Sequence, residues 1–159
     1  MSETQTTQNT THDRALVFEV LNEIGILAQL SGAVMERHLP PGFQTSHFSV
    51  LNHLVRLGDE RTPLRIARAF QVPKTTMTHT LAGLEKAGLI VFAPNPDDGR
   101  SKLVKITEAG RAFRDEAIAK LSPEADKVLA ALGGEDLSEL RPRLQRLREF
   151  LDAERDGKN

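Results

Sequence analysis

Apolar positions divide this chain into helical stretches and one short β hairpin. Leu16, Val17, Val20, Leu21, Ile24, Leu27, Ala28 and Val34 recur at three- and four-residue steps, with Glu19, Glu23 and Glu36 between them. That period predicts a long amphipathic helix, broken at Leu39-Pro40-Pro41-Gly42, where the prolines lack an N–H and restrict their predecessors. A second helix is expected from Thr45 or Ser46, either of which can cap it, to Leu57. Phe48, Leu51, Leu54 and Val55 point inward there, and Gly58 is the exit. Thr62-Pro63 predicts a third start, a hydroxyl cap followed by proline at the first helical position. Leu64, Ile66, Ala67 and Phe70 form its buried side. After the turn Gln71-Val72-Pro73, a fourth helix runs from Lys74 to Ala87 and closes at Gly88.

The pattern then changes period. Leu89-Ile90-Val91-Phe92 and Leu103-Val104-Lys105-Ile106 are apolar and β-rich, and they flank Asn95-Pro96-Asp97-Asp98-Gly99, which is turn chemistry. Two short helices across a tight turn, then strand, loop and strand, predict a winged helix-turn-helix. Thr107 caps a further helix with Ala109, Phe113, Ala117 and Leu121 inward, and Ser122-Pro123 kinks or restarts it. Gly133-Gly134 is a second break. Beyond it Leu137, Leu140, Leu144, Leu147 and Leu151 fall at spacings of three, four, three and four, a heptad seam suited to dimerisation. Pro142 is expected close to the first turn of that helix.

The predicted fold class is therefore mostly α with a small two- to three-stranded β wing. It joins a winged helix-turn-helix to a helical dimerisation region drawn from both termini. The expected division is a disordered tail at 1–12, dimerisation helices at 13–38 and 108–153, and a DNA-binding domain at 45–107. Leu16 and Val20 from the first helix join the terminal leucine seam as dimerisation candidates.

Charge sharpens this picture. The 159 residues carry a net charge of −1, but residues 1–60 balance at −4, 61–120 at +5 and 121–159 at −2. A basic middle with acidic ends suits a middle that touches a polyanion. With no cysteine, the chain has no disulfide, thiol catalysis or thiolate metal site. No unbroken apolar run is longer than Leu89 to Ala93, far short of the ~18 residues of a membrane span. Ser2 to Thr11 is rich in Thr and Gln and has no basic or apolar region of a signal peptide. A cytoplasmic location is expected.

On the fourth helix, Met77, Leu81 and Leu84 mark the buried face. The opposite face holds Thr75, Thr78, His79, Ala82 and Lys86, with Lys74 and Thr76 near the N-terminal end and no acid at its centre. Short hydroxyls, an imidazole and a methyl suit a DNA major groove, so Lys74, Thr75, Thr76, Thr78 and His79 are the base-facing candidates. Arg100, at the tip of the wing, is placed to enter the adjacent minor groove. Asp98 is expected to pair with its guanidinium and orient it. Thr62, Lys86, Lys102 and Lys105 are candidate phosphate contacts.

The stretches "KTTMTHTLAGLEKAGLI" and "NPDDGRSKLVKITEAGR" resemble the recognition helix and wing of the MarR family of bacterial transcriptional regulators. The Asp98-x-Arg100 wing, the Leu84-Glu85-x-x-Gly88-Leu89 exit and the Thr107-x-x-Gly110-Arg111 start carry the resemblance. It implies a triangular homodimer with interlocked terminal helices, bound to a near-palindromic operator whose half-sites lie one helical turn, ~34 Å, apart. It also implies repression relieved by a small, often aromatic or anionic, effector bound between the two subdomains. By position, Arg37, His38, Phe48, His53 and Arg56 are the pocket candidates.

Other chemistry is weakly signalled. Gly83 and Gly88 make a G-x-x-x-x-G, but Leu89-Ile90 stand where a phosphate loop needs Lys-Ser/Thr. His38, His47 and His53 do not form a recognised metal-ligand spacing, and no metal or cofactor is expected. Asp97 and Asp98 are too exposed for a tuned acid/base pair, so no enzymatic activity is expected. The alternatives are a winged-helix protein-interaction module without DNA and a metal-sensing regulator.

Overall fold

The computed structural model describes residues 2–58 and 61–157, with side chains for these apart from 2–11, 155 and 156. Helices α1 (Ser2–His38), α2 (Thr45–Leu57), α3 (Pro63–Ala69) and α4 (Lys74–Lys86) precede strands β1 (Ile90–Pro94) and β2 (Lys102–Ile106). Helices α5 (Glu108–Ala119) and α6 (Ser122–Asp156) follow. The chain divides into two compact units, Met1–Ala117 and Ile118–Asn159. Mostly helical, with one small antiparallel sheet, it has the fold class expected from the sequence.

The first unit is organised by one apolar core. Val50, Leu51 and Leu54 from α2 meet Ile66 and Ala67 from α3, Met77, Leu81 and Leu84 from α4, and Ile90, Val104 and Ile106 from the sheet. Leu51, Leu54, Ile66, Leu84 and Val104 have no exposed surface. A smaller cluster joins Leu39, Phe48 and Ala117, with Phe43 and Phe113 packed on it. Leu64 does not join the core. It is 45% exposed, because in a helix of seven residues only the Ile66-Ala67 side faces inward.

Strand register pairs Ile90 with Ile106, Phe92 with Val104 and Pro94 with Lys102. On its other edge β2 carries a single-residue bridge to Arg61, whose carbonyl accepts the Val104 N–H at 2.9 Å. The wing thus has two strands and a one-residue third.

Local signals explain most of the boundaries. Thr62 caps α3, its Oγ1 accepting the Arg65 N–H at 3.3 Å, with proline at the first helical position. Gly88, at φ +72, ends α4. Thr107 starts α5: its Oγ1 accepts the Gly110 N–H at 3.0 Å and donates to the Gly88 carbonyl at 2.7 Å. The second of those bonds ties helix start to helix exit.

Four expectations are corrected. The cap of α2 is Gln44, one residue before Thr45. Its backbone N–H donates to His47 Nδ1 at 3.0 Å, while the Thr45 hydroxyl donates instead to the Gly32 carbonyl at 3.3 Å. Ala109 is exposed and Gly110 is the buried residue of that turn. A Cβ at Gly110 would fall on the Leu89 carbonyl oxygen and lie 2.8 Å from Ile106 Cγ1, so only glycine fits there. Pro142 lies inside α6, about two turns beyond the break at Gly133. Backbone helix also extends to Ser2, through the span read as a tail; adding a residue to an existing helix costs little compared with starting one. The side chains of 2–11 lie outside the described residues.

In α1, Leu16, Val17, Phe18 and Leu30 are all more than half exposed. In the second unit, α6 starts at Ser122 with proline in its first turn and leaves helical geometry at Gly133 (φ 77, ψ 161). Leu140, Leu144 and Leu151 are exposed and Leu137 and Leu147 half-buried.

Candidate nucleic-acid interface

Helix α4 is placed by its buried side: Met77, Leu81 and Leu84 are 3%, 1% and 0% exposed. That anchorage turns Thr75, Thr78, His79, Ala82 and Lys86 outward, together with Lys74 and Thr76, and all seven are exposed. The Thr78 hydroxyl donates to the Lys74 carbonyl at 2.8 Å. Its proton is thereby used within the helix, and the side chain offers outward a methyl and an acceptor lone pair. Thr80, which the sequence pattern left unassigned, is buried and donates to the Thr76 carbonyl at 3.2 Å.

The wing tip is held by its own polar groups. Asn95 Nδ2 donates to Ser101 Oγ at 2.7 Å, and Asn95 Oδ1 accepts the Asp97 N–H at 3.1 Å. Asp98 Oδ1 accepts the backbone N–H of Arg100 at 3.0 Å. Asp98 was expected to pair with the Arg100 guanidinium; it binds the backbone instead. A carboxylate two residues before an N–H closes a compact turn with short reach, whereas the guanidinium lies at the end of a long chain. Arg100 is exposed.

Lys102, exposed, lies 5.9 Å from the centre of the Phe92 ring. Lys105 is half-buried on β2. The hydroxyl oxygen of Thr62 serves as helix cap. All of these wing and helix residues belong to the first unit.

The pocket candidates do not share one environment. Phe48 is buried in the smaller core cluster. His38 Nδ1 bonds to the Val34 carbonyl at 2.8 Å. His53 packs on Phe70 with ring centres 5.2 Å apart. Arg37 and Arg56 are exposed in the last turns of α1 and α2.

A cleft of about 410 Å³ opens instead beside α4, bounded by Gln44, His47, His79, Ala82, Gly83 and Lys86 among others. Burial, and then neighbouring His79, hold the His47 imidazole below the ordinary 6.5. Sequence reasoning considered His47 only as one of three unaligned histidines. Its meeting with α4 depends on a tertiary contact that no local pattern encodes. Among the described residues, no group of three or more His, Asp or Glu side chains forms a metal site.

Residues 42–101 match the model of the MarR family, a span that takes in α2, α3, α4, β1 and the wing tip. A MarR transcriptional regulator from Methanosarcina mazei Go1 superposes with a TM-score of 0.72 at 18% identity, covering 82% of this chain and 94% of its own. A mutant MarR from E. coli complexed with operator DNA gives 0.65 at 21% identity, covering 82% and 94%. An organohalide-sensing transcriptional regulator in its 2,4-dichlorophenol-bound form gives 0.64 at 23% identity, covering 85% and 80%. Residues 42–101 are thus similar to the MarR family of transcriptional regulators, and the chain has the fold of these MarR structures.

Proposed function

We propose that this protein is a dimeric, sequence-specific DNA-binding repressor, acting in the cytoplasm and released from a near-palindromic operator by a small aromatic or anionic ligand. One observation carries the reading. The first unit exposes, on a helix anchored by Met77, Leu81 and Leu84, a face of hydroxyls, imidazole, methyl and ammonium groups, and next in the chain comes a self-bonded wing that ends in exposed Arg100.

Lys74, Thr75, Thr76, Thr78 and His79 face the major groove in this account, and Arg100 enters the minor groove. Thr62, Lys86, Lys102 and Lys105 meet phosphates. The DNA-bound form of E. coli MarR supports the partner, and the dichlorophenol-bound neighbour supports a small effector.

Dimerisation answers a second observation. The stretch His12–His38 is long and apolar enough to cross a membrane by length and composition, its most apolar 18-residue window having mean hydropathy 1.3. Leu16, Val17, Phe18, Val20, Leu21, Ile26, Leu27 and Leu30 within it are exposed, as are Leu140, Leu144 and Leu151 on α6. We read both stripes as faces that a second copy covers, consistent with burial of apolar surface driving association.

Selection of bound duplexes from a random DNA pool tests the proposal. Enrichment of an inverted repeat supports a dimeric reader. Failure to enrich any sequence, together with binding that does not depend on salt, would favour a protein-interaction module.

A further inference from the structure

Helix α2 opens on a titratable cap. In the ordinary capping box the third helical residue is Glu or Gln, whose side chain reaches back to accept the N–H of the capping residue. Here that third residue is His47, and its Nδ1 accepts the Gln44 N–H at 3.0 Å. Only the neutral imidazole can do this, because an imidazolium carries a proton on both nitrogens and accepts nothing. Glu and Gln keep their acceptor through neutral and mildly acid pH; histidine does not.

The same ring is a spacer between α2 and α4. Its Nε2 stands over Gly83, 2.9 Å from where a Cβ would lie, so a side chain there would displace it. The Phe43 ring meets it edge-on with centres 5.7 Å apart, and Phe43 in turn lies 4.6 Å from the Phe113 ring of α5. Its surroundings disfavour a positive charge. The ring is half-buried, and it sits in the first turn of α2, where the helix dipole opposes a cation. The charged or titratable groups that share its cleft, His79 and Lys86 of α4, are both basic, and the other residues lining the cleft carry no charge. Burial and then His79 hold its pKa below the ordinary 6.5.

We propose that His47 is a positioning residue for α4 that acts only as the neutral imidazole, so that acidification unlatches the first turn of α2 from the reading helix and weakens DNA binding. On protonation the Nδ1–H points at the Gln44 N–H instead of accepting it, and the new cation lies beside His79. Both changes push the ring from its seat between Gly83 and Phe43, and the support of α4 loosens with it. The sign separates this device from an ordinary DNA-facing histidine. Protonating the exposed His79 adds a cation to the DNA surface and strengthens binding, whereas protonating His47 weakens it. The inference rests on the DNA-binding reading above and adds an acid-triggered release to it.

The test is fluorescence anisotropy with the selected operator from about pH 8 to about pH 5 at constant salt. Wild type, His47→Gln and His47→Ala are compared, each checked for folding by thermal melting. Reading each variant against wild type at the same pH cancels the contributions of His79 and the other histidines. Glutamine keeps the capping acceptor and does not titrate, so His47→Gln is expected to rescue binding at the acid end, where it should be about three- to tenfold tighter than wild type. His47→Ala lacks the acceptor at every pH, and should be weaker than wild type by a similar factor at the alkaline end and approach it at the acid end. If wild type binds DNA and its ratio to His47→Gln stays constant with pH, the latch is overturned and the DNA-binding reading stands. If wild type binds no duplex at any pH, that reading fails and the release with it. NMR provides an arm that needs no DNA. The Gln44 amide signal should move with the midpoint of the His47 ring titration, and an amide that stays in place while the ring titrates would overturn the latch.

Discussion

Asp98 Oδ1 accepts the backbone N–H of Arg100 at 3.0 Å, so the acid shapes the turn and leaves the guanidinium uncommitted to it. Asparagine can make the same bond with its own Oδ1 but carries no charge. Asp98→Asn should therefore keep DNA affinity near wild type, whereas Asp98→Ala, losing a hydrogen bond of about 0.5–1.5 kcal/mol, should weaken it. Equal losses in the two variants, measured by anisotropy, would mean that charge pairing with Arg100 is what matters.

Gly110 is packed against the Leu89 carbonyl and Ile106. Gly110→Ala should destabilise the first unit by about 1–3 kcal/mol, the usual cost of overpacking, despite alanine's better helix propensity. Urea denaturation checks this; a variant as stable as wild type would show that α5 can shift away from Leu89 and β2 freely.

His47 gives the reading head a pH dependence of definite sign. Its pKa in the folded protein is held below the ordinary 6.5, first by burial and then by His79. Between the two values the unfolded chain binds more protons than the native one, so stability rises with pH through that window. The stabilising effect of a neutral His47 is complete above about 6.5 and is lost as pH falls to the folded value. Melting curves of wild type should decline on acidification, and His47→Gln should reduce that decline whatever it does to absolute stability. An unchanged acid slope in the variant would contradict this account.

The exposed leucines of α6 predict self-association. Leu144→Glu should shift the protein from dimer to monomer in analytical ultracentrifugation, because a carboxylate in an apolar interface must be desolvated or the interface opened. A dimer of unchanged strength would place the interface elsewhere.

The sequence was most legible where one residue type has a single structural use. Thr62-Pro63 marked the start of α3, Gly88 the exit of α4 and Thr107 the start of α5. The apolar, β-branched flanks of Asn95–Ser101 marked the strands, and the i, i+4, i+7 set Met77, Leu81 and Leu84 fixed which face of α4 is outward. What escaped were choices between near-equal local partners. Asp98 could take an N–H or a guanidinium. Thr45 and Ser46 each could have capped α2, and the chain instead caps that helix at Gln44, whose N–H is taken by His47. Leu64 and Ala109 fit a helical stripe but lie at its edge. The cleft was illegible for another reason: His47 and Gly83 are far apart in the chain, and only packing of α2 against α4 brings them together.

The proposed function has Arg100 reading DNA beside a groove-bound α4. Its most direct test is titration of the selected operator at two salt concentrations with wild type and Arg100→Ala. The account predicts steep salt dependence for wild type and a loss of about 1–3 kcal/mol in the variant. Operator binding by Arg100→Ala that matches wild type at both salt concentrations would contradict it.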